Sequence, residues 1–299
     1  MSNSIRLDKV EDFNRWAQMP TLHPAVSTYT HPEDIQVEAV KMSYGIYMVV
    51  LMKAYAGDII YGGSKYEYDV GTLIFHSPGQ IGDFRHLGPK YVPKGRVLLW
   101  NPDFIANTEL SRKMGRYTFF SYKVREALRL TDRERIIVNQ LLDNIEELTQ
   151  EEQSLEVDAL IIANIDLLLS YCLHFYERQF RTHSYENNTL LAKFEALLND
   201  YFSSSKPLEK GLPNVAFCAD HLNMSPNYSS DLVRSATGQS ALKHIHDKLT
   251  EFAKYRLANS EKTINEVAYS LGFEYPQHFT RFFKKNTGIS PTDYRRMIK

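Results

Sequence analysis

The stretch Leu271–Arg295, "LGFEYPQHFTRFFKKNTGISPTDYR", decides how the C-terminal part of this chain folds. Gly272 marks a turn where a positive φ is expected, since glycine has no Cβ to oppose it. Pro276 opens a helix, where its missing N–H costs nothing, and Gly288 closes it. Within that helix, about Tyr275 to Asn286, Phe279, Phe282 and Phe283 follow i, i+3, i+4 spacing and share one side. Gln277, Thr280, Arg281 and Lys284 follow i, i+3, i+4, i+7 and form a different, wholly polar side. Upstream, Ile264, Val267, Ala268 and Leu271 make the inner face of a preceding helix, with Ala268 small where the second helix crosses it. Helix, glycine turn and second helix are the parts of a helix-turn-helix. The phenylalanines pin the second helix, and the polar stripe is left to face a DNA major groove. Gln and Arg make bidentate contacts to adenine and guanine edges. Thr280 suits a thymine methyl or a phosphate, and Lys284 and Lys285 suit phosphates. For one helix taken alone, a solvated polar face is the competing reading.

A second copy weakens that competitor. Pro213–Ala241, "PNVAFCADHLNMSPNYSSDLVRSATGQSA", repeats the plan of Lys262–Thr292. Ala219 stands against Ala268, Leu222 against Leu271, Tyr228 against Phe279 or its neighbour, and "ATGQSA" against "NTGISP". Between them "ALKHIHDKLTEFAKYRLANS" reads as one helix, with apolar residues at Leu242, Ile245, Leu249, Phe252, Ala253 and Leu257.

The net charge of −1 hides an asymmetry. Residues 189–299 carry 15 Lys+Arg against 11 Asp+Glu, and residues 1–188 carry 20 against 25. From Leu271 to Lys299 the count is 6 against 2. A basic end on an acidic body permits nucleic-acid binding without demanding it.

With these residues in view, Lys193–Lys299 resembles the DNA-binding domain of the AraC/XylS family of bacterial transcription regulators. The most specific part is "INEVAYSLGFEYPQHFTRFFKKNTGISPTDYR". The resemblance implies two helix-turn-helix units reading successive major-groove segments on one face of double-stranded promoter DNA. It places Gln277, Thr280 and Arg281 on bases, with Pro276 and His278 near the entry. In the first unit, whose reading helix starts at Ser225, it places Asn227, Ser230 and Asp231 on bases and Arg234 toward phosphate. That unit departs from the family pattern: Asp231 stands where a basic residue is common, Ser229 where an apolar one is common, and Val233 where phenylalanine is frequent. Asp231 suits a cytosine amino group but is repelled by phosphates, so weaker or differently specific contacts are expected there.

The N-terminal part reads as strands from about Thr28 to Thr118. "GIYMVVLMKAY", "DVGTLIFHSPG" and "GRVLLWNPDF" are short runs rich in β-branched and aromatic residues, punctuated by glycine and proline. Such spacing suggests a small barrel or sandwich. This part resembles the cupin-type sensor domains of the same family, which implies a small-molecule effector, dimerisation through nearby helices, control of RNA polymerase and, most often, activation. From about Ser121 the pattern turns helical. Thr131 caps "TDRERIIVNQLLDNIEELTQ", and "LEVDALIIANIDLLLSYCLHFYERQF" is apolar all round in its middle, so it must be buried on more than one side. Either the barrel or a second copy of the chain covers it. The expected organisation is α+β: a cupin-like β-barrel over 1–120, a helical connecting and dimerisation region over 121–188 with a polar joint at Ser184–Asn188, and an all-α DNA-binding domain over 189–299, in which "SSSKPLEKGLP" is a loop.

Other classes are disfavoured. Cupin metal sites need paired histidines followed by a carboxylate and a further histidine, whereas His76 and His86 are ten residues apart. No nucleophile elbow, phosphate loop or HExxH occurs, so neither an enzyme, a metal nor a cofactor is expected. Inward aromatic and polar strand residues would line an effector pocket, and Tyr47, Tyr61, Tyr66, Tyr68, His76 and Trp100 are the candidates. A regulator that is constitutive or controlled by a protein partner remains open. No uninterrupted run of about 18 apolar residues predicts a membrane span, and the opening residues do not read as a signal peptide. Two cysteines, Cys172 and Cys218, make no disulfide framework, which fits a reducing cytoplasm.

Overall fold

A computed structural model describes residues 4–52, 59–61, 64–66, 71–83, 90–123, 126–182 and 184–298, with the side chains of 59–61, 64–66, 83 and 184–188 left aside. The chain forms two compact units, Met1–Gln179 and Phe180–Lys299.

The first unit is strand-rich. Its strands are β1 (Ser4–Leu7), β2 (Val26–Thr30), β3 (Val37–Glu38), β4 (Lys41–Tyr44), β5 (Tyr47–Met52), β6 (Ile59–Tyr61), β7 (Ser64–Tyr66), β8 (Thr72–His76), β9 (Ile81–Asp83), β10 (Lys90–Tyr91), β11 (Gly95–Trp100) and β12 (Leu128–Arg129). A five-stranded antiparallel sheet runs β12-β8-β5-β11-β2, a three-stranded sheet runs β1-β4-β9, and β3–β10 and β6–β7 are pairs. Among the described residues these sheets stay separate and do not close into a barrel.

Register assigns each face of the large sheet, because residues directly opposite each other in an antiparallel pair point the same way. Leu99 lies opposite Ser27 and Met48, and Met48 opposite His76. On this face Tyr29, Met48, Val97 and Leu99 join Met42 and Tyr44 of β4, and Leu7, in one core. The other face carries Tyr47 and Trp100, whose rings stack 5.3 Å apart, and Phe75. It packs on Phe119 and Phe120, which ring Phe75 at 4.4 and 5.5 Å, and on Tyr176.

Four helices complete this unit: α1 (Val10–Ala17), α2 (Glu109–Lys113), α3 (Asp132–Leu148) and α4 (Leu155–Thr182). The sequence reading did not assign α1, whose eight residues carry only Val10, Phe13, Asn14 and Ala17 inward. Thr131 caps α3 as expected, within a capping box completed by Glu134. Arg96 on β11 donates to Asn139 O and pairs with Asp143 and Glu146, fixing α3 to the sheet. Arg178 on α4 holds both oxygens of Glu134 at 2.8 and 2.9 Å and the Arg129 carbonyl at 2.6 Å. Although no uninterrupted apolar run occurs, α4 as a whole is long and apolar enough to cross a membrane. Within the unit it behaves as a core helix: Ile161, Ile165, Leu168, Leu169 and Cys172 are buried, and Asp166 accepts from Lys113 and Tyr117.

The second unit is helical: α5 (Ser184–Ser203), α6 (Lys206–Lys210), α7 (Val215–His221), α8 (Pro226–Thr237), α9 (Ala241–Asn259), α10 (Ile264–Ser270), α11 (Pro276–Thr287) and α12 (Pro291–Ile298). Two expectations are corrected here. The polar stretch 184–188 is the start of α5, since Ser and Asn are tolerated in a first helical turn. The stretch expected as a loop contains α6, with Pro207 in its first turn and Gly211 after its end.

His76 is buried, and desolvation pushes its imidazole down to about 4, only partly opposed by the Gln80 side chain bonded to it. A histidine so depressed stabilises the fold fully above its ordinary value of about 6.5, and that contribution is lost as pH falls from there to about 4. The loss amounts to about 3 kcal/mol. Urea unfolding followed by Trp16 and Trp100 fluorescence, both in this unit, should therefore show stability falling between pH 7 and 4.5, with a shallower fall in His76→Gln.

Candidate nucleic-acid interface

The turns of the two helical repeats are closed by equivalent backbone bonds. In the first, Asn223 N donates to Asp220 O at 2.9 Å and Met224 N to Ala219 O at 2.8 Å. In the second, Gly272 N donates to Tyr269 O at 3.0 Å and Phe273 N to Ala268 O at 3.1 Å. Asn223 takes the left-handed position (φ 60°) that Gly272 takes (φ 95°) in the other copy; asparagine is among the few non-glycine residues that adopt it readily. Both reading helices end on a left-handed glycine, Gly238 and Gly288, beside a threonine bonded back to the helix.

The repeats differ by one residue. Four residues separate α7 from α8, and five separate α10 from α11. The offset between copies is therefore 49 up to Met224 and Phe273, and 50 from the next helix start onward. This resolves the alignment left open by sequence. Tyr228 answers to His278 and Ser229 to Phe279, while Asn227, Ser230, Asp231 and Arg234 answer to Gln277, Thr280, Arg281 and Lys284.

On α11, Phe279 and Phe283 are fully buried and Phe282 half-buried. Phe273 closes the corner, 5.3 Å from Phe279 and 5.6 Å from Phe282. Gln277, His278, Arg281, Lys284 and Lys285 are exposed. Pro276 is half-buried, and its carbonyl accepts from the Thr280 hydroxyl at 3.1 Å. That bond occupies the hydroxyl proton. His278 leans on Tyr275, with ring centroids 5.4 Å apart. On α8, capped by Ser225, the buried side is Ser229, Leu232 and Val233. Asn227 and Arg234 are exposed, while Ser230 and Asp231 are half-buried. Where the phenylalanines of α11 stand, α8 has Ser229 and Val233, so its anchor is smaller.

The charge pattern extends beyond α11. His246 on α9 is held below its usual range, first by burial and then by the positive charges of Lys243 and Lys285. Lys243 was not singled out by sequence. It lies on the exposed side of a helix assigned there only for its apolar stripe, and it also pairs with Asp247. Leu242, counted in that stripe, is exposed.

Residues 218–297 match the family described as "Helix-turn-helix domain". The chain carries an AraC-type helix-turn-helix domain. The AraC-type domain is similar to curated relatives as well. The uncharacterized HTH-type transcriptional regulator YijO of Escherichia coli K12 is 30% identical over 156 residues, 52% of this chain and 51% of that protein. The arabinose operon regulatory protein of the same strain is 35% identical over 82 residues, 27% of this chain and 28% of that protein. The chain thus spans about half the length of the first and less than a third of the second. A solved structure, the C-terminal domain of AraT, a response regulator from Geobacillus stearothermophilus, is 28% identical over 36% of this chain and 84% of that chain, with a TM-score of 0.32.

Of the residues proposed for an effector pocket, His76 lies on the core face of the large sheet, its ring 5.3 Å from Tyr44. Tyr47 and Trp100 lie on the opposite, helix-covered face. They do not share one cavity with His76, because Tyr47 is next along β5 to Met48, the residue opposite His76, and successive residues of a strand point to opposite faces. Tyr68 and His86 lie outside the described residues, as do the side chains of Tyr61 and Tyr66.

A Cβ on Gly272 would stand 2.7 Å from Gly211 C and 2.9 Å from Pro207 O. A Cβ on Gly238, also at positive φ, would meet no atom within 4 Å beyond its chain neighbours and its own helix backbone. Gly272→Ala should therefore cost more than about 1 kcal/mol beyond Gly238→Ala, read as faster native-state hydrogen exchange of the α10 and α11 amides.

Proposed function

We propose that this chain is a cytoplasmic, sequence-specific DNA-binding transcription regulator of the AraC type, acting as a homodimer and mainly as an activator of RNA polymerase. The observation that carries the reading is the division of α11: two fully buried phenylalanines on one side, and exposed Gln277, Arg281, Lys284 and Lys285 on the other. A helix fixed in this way offers a pre-set row of base-reading and phosphate-binding groups. Gln277 and Arg281 read bases, Thr280 offers its methyl to thymine, and Lys284 and Lys285 bind phosphates, with Pro276 and His278 at the entry. On α8, Asn227, Ser230 and Asp231 face bases and Arg234 a phosphate. The weaker anchor and the carboxylate make α8 the lesser contributor.

The strand-rich unit acts as the controlling part. A small molecule or a partner bound there shifts the placement of the DNA-binding halves on repeated half-sites. Support for dimerisation comes from α4, where Leu160 and Leu167, two turns apart, are exposed while the opposite side is buried. The relatives are named as transcriptional regulators, which favours this reading over an enzyme.

On a duplex selected by the full chain from a randomised library, Arg281→Ala should cost about 1–3 kcal/mol of affinity, and Asp231→Ala less. Lys284→Ala should weaken binding evenly across sequences and lower the slope of log affinity against log salt by about one phosphate contact. Unchanged affinity in Arg281→Ala would remove α11 as the reading helix. Leu160→Glu with Leu167→Glu should convert a dimer to a monomer by light scattering, with the helical circular dichroism signal retained.

A further inference from the structure

We propose that Arg256 on α9 is a positioning residue for the second reading helix, tying the turn that precedes it to the end of α5. This rests on the DNA-binding reading above. Arg256 is half-buried on the side of α9 next to Ala253 and Leu257, both fully buried. Its Nη1 donates to the Ser270 carbonyl at 2.5 Å and its Nη2 to the Phe202 carbonyl at 2.6 Å. One guanidinium thus joins the last residue of α10 to the end of α5. Ser270 stands immediately before the turn into α11, so its place sets where α11 begins.

Three further contacts converge on the same joint. Phe202 lies 5.6 Å from Phe252, one turn before Arg256. The Tyr201 hydroxyl donates to the Gly211 carbonyl at 2.9 Å. Gly211 in turn abuts Gly272 so closely that no Cβ fits on Gly272. The turn of the second helix-turn-helix is therefore clamped between α9 on one side and the α5–α6 end on the other. A planar guanidinium suits this place because its two donors diverge to two carbonyls at fixed geometry. Both turns are closed by an equivalent backbone bond, Met224 N to Ala219 O in the first unit and Phe273 N to Ala268 O in the second. But α8 has in addition the Ser225 side-chain cap, which Tyr275 does not supply to α11, and it is seated by packing along α5. Losing Arg256 should therefore displace α11 and leave α8 in place.

The test is a pair of double-mutant cycles on a duplex that the wild-type full chain selects from a randomised library. In the wild-type background, Arg281→Ala should weaken binding about tenfold or more. In the Arg256→Met background the same change should have an effect of less than about threefold, because Arg281 no longer meets its base, whereas Asn227→Ala should weaken binding equally in both backgrounds. Arg256→Lys, able to reach one carbonyl, should fall between, and it carries the test if Arg256→Met loses its helical signal. General destabilisation would scale both cycles alike. An unchanged effect of Arg281→Ala in both Arg256 variants, or equal loss of the Asn227 and Arg281 effects, would overturn the proposal. Failure of the wild-type chain to select any sequence would overturn the DNA-binding reading itself, and this inference with it.

Discussion

Burial of Phe279 and Phe283 on one side of α11 is the constraint on which the reading face depends. Each ring removed from water contributes about 1.5–3 kcal/mol, more than any single surface contact opposite it. The two sit one turn apart within a continuous ring cluster: Phe273 to Phe279, Phe279 to Phe283 at 5.8 Å, and Phe283 to Tyr294 at 5.4 Å. Rotation of the helix about its axis would expose them, so the helix has one orientation. Gln277, Arg281 and Lys284 then face outward as a consequence of what the phenylalanines bury.

The first repeat shows what the plan becomes when that anchor shrinks. Ser229 and Val233 occupy the sites of the two phenylalanines, and helix packing must come from elsewhere. α5 supplies it: Phe194, Leu198, Tyr201 and Phe202 are buried, and α5 packs on α7, α8 and α9. One fold thus carries two equivalent helices of unequal chemistry, Arg281 in one and Asp231 at the same place in the other.

In the strand-rich unit the large sheet works with two faces of different character. One side packs against β4 and holds His76 neutral by burial. The other is an aromatic layer, Tyr47, Phe75, Trp100, Phe119, Phe120 and Tyr176, through which α4 is seated. Arginines complete the attachment of the helices: Arg96 to α3, and Arg178 from α4 to α3 and β12.

Local chemistry was legible in the residues themselves. Periodicity of apolar positions placed α9 and α11, glycine at Gly272 and Gly288 placed the turn and the stop, and Thr131 placed the start of α3, because each of these depends on neighbours within one helical turn. The division of α11 into a buried and an exposed stripe was equally readable. What the tertiary structure alone decided depends on contacts distant in sequence. The two sequence alignments already differed by one residue, but that the extra residue lies in the turn before α11 shows only when both turns are closed. Which face of the sheet carries His76 and which carries Tyr47 and Trp100 follows from strand register, which no single strand reveals. The roles of Gly211 and Arg256 appear only once α5, α6, α9 and α10 are packed, since a carbonyl without a partner in sequence finds one only in three dimensions.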